Sequence, residues 1–560
     1  MQRTLPAVLA ALLCASVIAG CGGQTPARDP DPPGPVRVAA LAVNPARPAI
    51  APGESLRLMA VTRATDGSVA DVTAGGRWRV TGAAVRLTGP GRLRAVAPGT
   101  AVVEVRAAGR RAAARVTVDP RASGALVFTP SRPFPQDPLG RSIALAGSHT
   151  WTNLMDSGTT DPPPAFDKDR YLDTLQVHGQ NLTRLWTWEQ ARWTAETRED
   201  YHFSPTVFVR TGPGTGADGG LRFDLQRVNP AYLARVRERV RAARERGIWT
   251  VVMLFDGWSV APKVSDDMNP WRGHPLNAAN NVNGIDGDTD GNGDGTDTQT
   301  LVDPAVTAVQ ERYVRAVVAE LAAEPNVMYE ISNESDGSSV AWQEHMVGVI
   351  RDAERDGPLR HPVGMTFPYP GGDDDVLLTG PADWVSPGGD PSDPRPVGER
   401  PVIMDTDHLC GVCGDASFPW RAFTRGNNPL FMDLYDDTAI GLGALDGDGT
   451  DPEWERLRRA LGIVREVSEQ VDLSRMRPDG SFASSGFALT TGGARPQAVV
   501  LATGGDRVTL DLREATGRFA VRWVHPRSGV VLARTIANGG GKVSLDPPID
   551  ADAVLILDPA

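Results

Sequence analysis

The fold is decided by the stretch Asn326-Val327-Met328-Tyr329-Glu330-Ile331-Ser332-Asn333-Glu334. It is an apolar β-strand that runs into two polar residues, Asn333 and Glu334. Around it, from residue 123 to about residue 471, short β-rich runs alternate with helical stretches, which is typical of a parallel sheet with crossover helices. Such strands close into (β/α)8 barrels, whose functional side chains lie at the C-terminal strand ends. Asn333 and Glu334 are therefore predicted at the mouth of a TIM barrel.

Eight strands can be placed in the segment 123–471, whose length suits a barrel with long loops. The stretch quoted above is the fourth strand, and the fifth and sixth units are poor in helix. Asp303-Pro304 and Asp451-Pro452 each place an N-cap before a first-turn proline. The predicted strands are 142–146, 182–186, 250–255, 327–331, 362–366, 383–386, 401–404 and 429–432. The predicted helices are 171–178, 230–246, 304–323, 340–356 and 453–470.

Glu334 is the first candidate for a catalytic residue. A carboxyl group partly screened from water at a barrel mouth retains its proton and can donate it to a leaving glycosidic oxygen. The seventh predicted strand supplies two further carboxylates, Asp405 and Asp407, which face the same side in an extended chain. A distance of about 5–5.5 Å between the two catalytic carboxyl groups predicts retention of configuration, and a distance of about 6.5–9.5 Å predicts inversion.

The Asn-Glu pair at the end of the fourth strand resembles clan A glycoside hydrolases of the cellulase-like type. The resemblance implies that Glu334 is the acid/base and that Arg184, on the second strand, keeps the nucleophile ionised. In that clan a Glu ends the seventh strand, whereas this chain has Asp405-Thr406-Asp407. We therefore expect an aspartate nucleophile, with Asp407 preferred because it lies farther towards the mouth and Asp405 as the alternative. The departure leaves retention and inversion both open.

Aromatic and polar side chains follow several of the predicted strands. Tryptophan faces stack on sugar rings, and His, Asn and Asp side chains bind hydroxyl groups. Each one alone is more often explained by core or loop packing, but together at the same ends of successive strands they favour a sugar cleft. The predicted substrate-binding residues are His149, Trp151, Arg184, Trp186, Trp188, Asp256, Trp258, His274, Asn333, His408 and Asp433.

Two β-rich segments flank the predicted barrel. Residues 37–119 alternate apolar and polar residues between turns, as an all-β sandwich does, and they resemble a bacterial Ig-like group 2 domain. This resemblance implies a spacer or adhesion module. Residues 472–560 resemble the small β-sandwich, in some proteins called a collagen-binding domain, that follows barrels of this kind.

The N-terminus resembles a bacterial lipoprotein leader. An apolar run follows Arg3 and ends in Ile18-Ala19-Gly20-Cys21. The run is too short to span a bilayer, and its length fits a signal peptide. The resemblance implies a signal peptide over residues 1–20, lipidation of Cys21, a tether over residues 21–36 and a location outside the cytoplasm on the cell envelope. An ordinary secretory signal is the alternative.

Two further motifs concern cysteines and acidic residues. Cys410 and Cys413 are predicted to form a local disulfide, as is usual in exported proteins, with a redox or zinc site as the alternative. The loop 286–297 alternates oxygen ligands with glycines, so a structural calcium site and a solvated loop are both consistent with it. The calcium ligands would be Asp286, Asp288, Asp290, Asn292 and Asp294. No cofactor is expected to be required.

Charge is unevenly distributed along the chain. The net charge of −12 argues against a nucleic-acid-binding protein. Residues 37–119 hold 13 arginines and 5 acidic residues, whereas the chain from Pro120 onward carries −20. Either the basic module and the acidic remainder meet different surroundings, or the arginines reflect a general preference on solvated faces.

Three functions follow from these patterns. The first is an O-glycoside hydrolase acting on an extracellular poly- or oligosaccharide. The second is a non-catalytic carbohydrate-binding surface protein on a degenerate barrel, because the seventh-strand Glu is missing. The third is an adhesin, because β-modules flank the barrel.

Overall fold

The structure is a computed structural model that describes residues 36–194, 200–263, 265, 268–435 and 452–560. The predicted signal peptide, Cys21, nearly all of the tether and the Asp451 N-cap lie outside these residues. In the part of the chain that is described, no helix is both long and apolar enough to cross a membrane.

Eight parallel strands form the predicted barrel. Their hydrogen-bonded order follows the chain from the first strand to the sixth, and the seventh and eighth return to the first. The remaining gap is bridged by the parallel pair Val385 and Val402. The (β/α)8 fold predicted from the sequence is thus confirmed. Numbered within the barrel, the strands are β1 (Gly147–His149), β2 (Leu182–Leu185), β3 (Trp249–Asp256), β4 (Val327–Asn333), β5 (Val363–Thr366), β6 (Trp384–Ser386), β7 (Ile403–Asp405) and β8 (Asn428–Met432).

The first strand begins five residues later than predicted. Residues 142–146 were expected to pair as a strand, but Leu145 and Ala146 donate their N–H groups to the side chains of Asn428 and Asn181. Pairing starts at Gly147, where a Cβ would lie 1.8 Å from the Leu182 carbonyl oxygen. Only glycine allows this close approach, so the strand begins there.

Helices follow every strand except β6. The helix between β5 and β6 has five residues, and residues 387–402, all described, contain no helix, as the helix-poor fifth and sixth units predicted. Asp303 caps its helix by accepting a hydrogen bond from the Ala305 N–H. The helices are α1 (Lys168–Val177), α2 (Pro230–Arg244), α3 (Pro304–Leu321), α4 (Val340–Ala353), α5 (Asp375–Thr379), α6 (Asp407–Cys410), α7 (Phe418–Thr424) and α8 (Pro452–Ser468).

Long loops after β1, β2 and β3 build walls around the barrel mouth. A small antiparallel sheet joins the first two of these loops, and a hairpin extends the second loop. The sheet contains Asp156–Gly158, Arg192–Thr194 and Asp200–Ser204, and the hairpin contains Phe208–Thr215 and Leu221–Val228. Short 3-10 helices lie at Pro120–Ser123, Pro270–Gly273, Thr296–Gln299 and Gly337–Ser339.

The N-terminal module, residues 38–118, consists of three small sheets around one apolar core. Arg57 forms an ion pair of 2.8 Å with Asp173 on α1, and its N–H donates to the Glu245 carbonyl just after α2. Both contacts lie on the barrel face where strands begin, opposite the mouth. The strands are Val38–Asn44, Ala49–Ile50, Ser55–Arg57, Met59–Ala64, Val69–Asp71, Arg77–Thr81, Val85–Gly89, Arg92–Ala95, Gly99–Ala107 and Arg110–Val118.

The C-terminal segment forms a six-stranded antiparallel sheet covered by a two-stranded one, as predicted for a β-sandwich. One face packs against α7 and α8, where Trp420 and Leu461 are buried beneath Val499 and Ile556. The six strands are Arg477–Pro478, Ala488–Thr490, Ala498–Ala502, Arg518–Val524, Val531–Asn538 and Ala553–Pro559, and the two are Val508–Leu512 and Gly541–Leu545.

Candidate active site

Arg184, near the end of β2, connects carboxylates from two other strands. Its guanidinium donates to both oxygens of Glu330 on β4, at 2.9 and 2.5 Å, and to Asp407 Oδ2 at 2.9 Å. A longer contact of 3.4 Å reaches Asp405 Oδ2. The side chain is fully buried, so its charge is compensated by these carboxylates and not by bulk water.

Asp405 and Asp407 differ in their surroundings although both contact Arg184. His149 Nε2 lies 3.0 Å from the Asp405 carboxylate. Burial disfavours the charged form of Asp405, but His149 and Arg184 outweigh it and hold the pKa of this carboxyl well below its usual range. Burial raises the pKa of Asp407 above its ordinary value, against the pull of Arg184. Asp405 is therefore a fixed anion, and Asp407 is the more basic carboxylate of the two.

Asn333, the last residue of β4, is held at both ends of its side-chain amide. Its Oδ1 accepts hydrogen bonds from Arg184 Nη2 at 2.8 Å and from His408 Nε2 at 3.0 Å. Its Nδ2 donates to Asp256 Oδ1 at 3.2 Å. Burial and the charge of Arg184 lower the pKa of His408 to about 3, so this imidazole is neutral and its other nitrogen accepts from the Ser386 hydroxyl. The network ties β2, β3, β4 and β6 to α6, the short helix that follows β7.

Glu334 lies just past β4 in a left-handed backbone conformation with a φ of 40°. Gly257 packs so closely against this turn that a Cβ there would lie 2.2 Å from the Glu334 carbonyl oxygen. Lys263 Nζ, which donates to the Tyr369 carbonyl oxygen at 2.9 Å, also reaches the Glu334 carbonyl oxygen at 3.3 Å. A residue other than glycine is uncommon in this conformation and marks a position of functional interest.

The Glu334 carboxyl group is buried beside the indole of Trp258, whose Nε1 donates to Oε2 at 2.5 Å. The residue is 8% exposed. Burial, reinforced by the negative charge of Asp407, raises the pKa of Glu334 to about 8. Burial likewise raises the pKa of neighbouring Asp256 to about 7. The site therefore contains a carboxyl group that is protonated at neutral pH and a second carboxylate close enough to influence it.

The predicted substrate-binding residues divide into two sets. His149, Arg184, Asn333, His408, Asp256 and Trp258 join Glu334, Asp405 and Asp407 in the network described above. Trp186 borders it, since its ring stacks on His149 with centroids 5.8 Å apart and lies under the Arg184 guanidinium. The other four are engaged elsewhere; they are Trp151, Trp188, His274 and Asp433.

These four side chains are engaged in packing or ion pairs. Trp188 is 2% exposed within an aromatic cluster, and its Nε1 donates to the Trp151 carbonyl oxygen. His274 stacks on Trp271 and faces Glu189. Asp433 accepts two hydrogen bonds from Arg458 of α8 and lies outside the network. All four residues, including Trp151 in the same apolar core as Trp188, are at most 6% exposed in this conformation.

Sequence reasoning missed Glu330 and Lys263. A signal for Glu330 existed, because a charged residue within an apolar parallel strand must find a buried partner. Lys263 lies in the loop after β3 without a strand or motif to mark it. The network that contains Glu330 extends deeper into the barrel than the strand ends alone predicted.

Neither the cysteine pair nor the acidic loop joins this site. Cys410 and Cys413 are linked by a disulfide at the end of α6, with Cα atoms 5.9 Å apart. In the acidic loop, Asp288 and Asp290 accept hydrogen bonds from backbone N–H groups of the same loop. No group of three or more His, Cys, Asp or Glu side chains among the described residues is arranged to hold a metal ion. The loop carboxylates thus serve as turn caps in this structure.

Comparison with known proteins gives a fold but no close relative. No family model matches the chain, and no curated protein matches it. Among solved structures, a glycoside hydrolase family 5 protein from Bacteroides vulgatus ATCC 8482 is 12% identical, with a TM-score of 0.52 over 78% of this chain and 93% of that one. A second structure, described as a glycoside hydrolase, is also 12% identical, with a TM-score of 0.50 over 79% of this chain and 98% of that one. The chain is thus similar in fold to glycoside hydrolase family 5 structures.

Proposed function

We propose that the protein is a glycoside hydrolase that cleaves O-glycosidic bonds of an extracellular poly- or oligosaccharide. One observation carries the proposal. A carboxyl group with its pKa raised to about 8, that of Glu334, lies at the mouth of a barrel beside a second carboxylate, Asp407, that is held by Arg184. An acid that keeps its proton at neutral pH next to a carboxylate is the pair of groups that glycoside hydrolysis requires.

Glu334 would act first as the acid. It donates its proton to the glycosidic oxygen while Asp407 attacks the anomeric carbon, so the bond to the leaving sugar breaks as an ester to Asp407 forms. Glu334, now a carboxylate, removes a proton from water, and the water oxygen displaces Asp407 from the anomeric carbon. Retention of configuration follows from these two displacements.

Asp407 is preferred over Asp405 as the nucleophile for two reasons. Its negative charge is the largest electrostatic contribution that raises the pKa of Glu334, whereas Asp405 is not among the main contributors. Asp405 is also bound by His149 and contributes its Oδ1 as an acceptor for the Asp407 N–H at 3.1 Å. We assign Asp405 the role of holding His149 and the turn that carries Asp407.

A carbohydrate-binding protein without catalysis is the second candidate. The observation that favours it is the replacement of the expected seventh-strand Glu by aspartates that are already bound to Arg184 and His149. An adhesive role has no specific support in the structure. The lipid anchor on Cys21 and the envelope location stay predictions, since the leader lies outside the described residues.

The experiment that separates catalysis from binding is a screen of plant and bacterial polysaccharides for release of reducing sugars. The first proposal expects release from at least one polysaccharide by the wild-type protein and none by Glu334→Gln. Retention of both proteins on a polysaccharide without release from any would support the binding function instead.

The pH dependence of turnover follows from the two carboxyl groups. Glu334 must be protonated in the first step, so we expect kcat/KM to fall as pH rises through about 8. Asp407 must be ionised, and burial raises its pKa, so the lower limb should lie above the ordinary aspartate range. The check is a pH profile on two substrates that differ in their leaving group. An aryl glycoside with an acidic leaving group needs no proton from Glu334, so its kcat/KM should not fall at high pH. If kcat/KM falls through about pH 8 for both substrates, the assignment of Glu334 as the acid is contradicted.

A further inference from the structure

Three arginines stand side by side on the outer face of the N-terminal module. Arg106 pairs directly with Arg77 on one neighbouring strand and with Arg111 on the other. Side chains at paired positions lie about 4.5–5.5 Å apart at Cβ, and like charges there destabilise a sheet. The guanidinium groups are exposed, with Arg106 67% and Arg111 65% accessible. Glu104, on the same strand as Arg106, forms ion pairs with Arg106 at 3.2 Å and with Arg111 at 2.9 Å. One carboxylate beside three arginines leaves the row with a net charge of about +2.

The row continues into a shallow depression of about 620 Å³ at the tip of the hairpin formed by the last two strands of the module. Four arginines line it, and the other lining residues are glycines and alanines, so no aromatic face is present to stack on a sugar. Within the three strands that carry the face, all of them described, Glu104 is the only acidic residue. We call this region the arginine end; its members are Arg77, Arg106, Arg110 and Arg111.

The arginine end is where the chain enters the folded structure. Arg110 donates two hydrogen bonds to the Val38 carbonyl oxygen, at 3.1 and 2.5 Å. Val36 and Arg37, the first described residues, therefore lie at this end. The other end of the hairpin, at Val118, leads to the barrel and lies about 30 Å away for a nine-residue strand. The module contacts α1 through Arg57, and through Arg63 it also contacts Glu466 of α8 and the Ser528 carbonyl oxygen.

We propose that the arginine end docks on a membrane surface of anionic phospholipids. Guanidinium groups in a row match the phosphates of lipid headgroups, and each basic residue near such a surface strengthens binding about fivefold. The charge distribution adds orientation, since residues 37–119 carry a surplus of eight positive charges and the chain from Pro120 onward carries −20. An anionic surface attracts the module and repels the barrel.

The test uses the chain from Val36 to Ala560, which holds all the sheets, helices and buried cores described above and lacks the predicted leader and all but the last residue of the predicted tether. Co-sedimentation with phosphatidylcholine vesicles is compared with co-sedimentation with vesicles that also contain phosphatidylglycerol. We expect binding to the anionic vesicles only, weakening as salt rises. The variant R77Q/R106Q/R111Q should bind about a hundredfold more weakly, because three basic contacts are lost.

A matched control removes the same charge elsewhere. R475Q/R518Q/R534Q alters three exposed arginines of the C-terminal segment and should bind as the wild type does. Thermal unfolding of both variants checks that each is folded. Equal binding by the two triple variants, or no preference of the wild type for anionic vesicles, would overturn the proposal. Retention on immobilised polygalacturonate without binding to vesicles would assign the arginine end to an acidic polysaccharide instead.

Discussion

Glu334→Gln lowers kcat by about a thousandfold on a substrate with a poor leaving group, because the variant cannot supply the proton that general acid catalysis contributes. The amide oxygen of the variant can still accept the hydrogen bond that Trp258 Nε1 donates to Oε2. KM should therefore change little. The measurement is steady-state kinetics on the polysaccharide that the screen identifies, with the exposed helix residue Glu344 changed to Gln as a control that keeps full activity.

The same variant is expected to be no less stable than the wild type. The pKa of Glu334 is raised in the folded state, from an ordinary 4.5 to about 8, so the folded state favours the protonated form. Its contribution to stability is complete below about pH 4.5 and is lost as pH rises through about 8. Because Gln cannot ionise, its melting temperature should rise relative to the wild type across that range. Wild-type activity of the variant would refute the role given to Glu334, and a variant less stable than the wild type at neutral pH would contradict the raised pKa.

Arg184→Met is expected to cost about 3–5 kcal/mol of unfolding free energy, since it leaves buried carboxylates without their cation. Glu330, Asp405 and Asp407 all contact this guanidinium. Without it the folded state holds these groups more easily in the neutral form, so their pKa values rise. The loss of stability should then be small at low pH, where the carboxyl groups are protonated. It should grow as pH rises through the raised pKa values of these groups in the variant.

Chemical denaturation across pH gives the measurement for Arg184→Met. Arg458→Met is the comparison, because Arg458 is also buried and donates hydrogen bonds to both oxygens of one carboxylate, that of Asp433. Its cost should be smaller and less dependent on pH. A loss below about 1 kcal/mol for Arg184→Met, or one that does not vary with pH, would mean that the carboxylates do not depend on this charge.

The barrel could be predicted because its strands are apolar runs separated by well-spaced helices. All eight strands overlap or adjoin their predicted positions, and α2, α3, α4 and α8 begin within a residue of prediction. The shift at β1 escaped prediction because Gly147 pairs through a backbone contact with Leu182 that no local pattern reveals. Strand pairing depends on a partner that lies far away in the sequence.

The site could be predicted where its polar side chains lie at the C-terminal ends of strands. Asn333, His408 and Asp256 form a connected network with Arg184, as residues at a barrel mouth are expected to do. Trp188 and His274 are of the same residue types as Trp258 and His408 but face inward. The residue type alone does not distinguish a buried ring from one open to a ligand. The sequence predicted that Glu334 keeps its proton, but the size of the pKa shift, to about 8, depends on burial and on the charge of Asp407 in the folded structure.

The most direct test of the central claim is to trap the covalent intermediate. The protein is incubated with a panel of 2-deoxy-2-fluoroglycosyl fluorides, whose glycosyl-enzyme esters hydrolyse slowly, and labelled peptides are sequenced by mass spectrometry. We expect one sugar attached to Asp407, and we expect Glu334→Gln to slow the release of this label. A sugar on Asp405 or Glu330, or hydrolysis with inversion and without any labelled peptide, would contradict the claim.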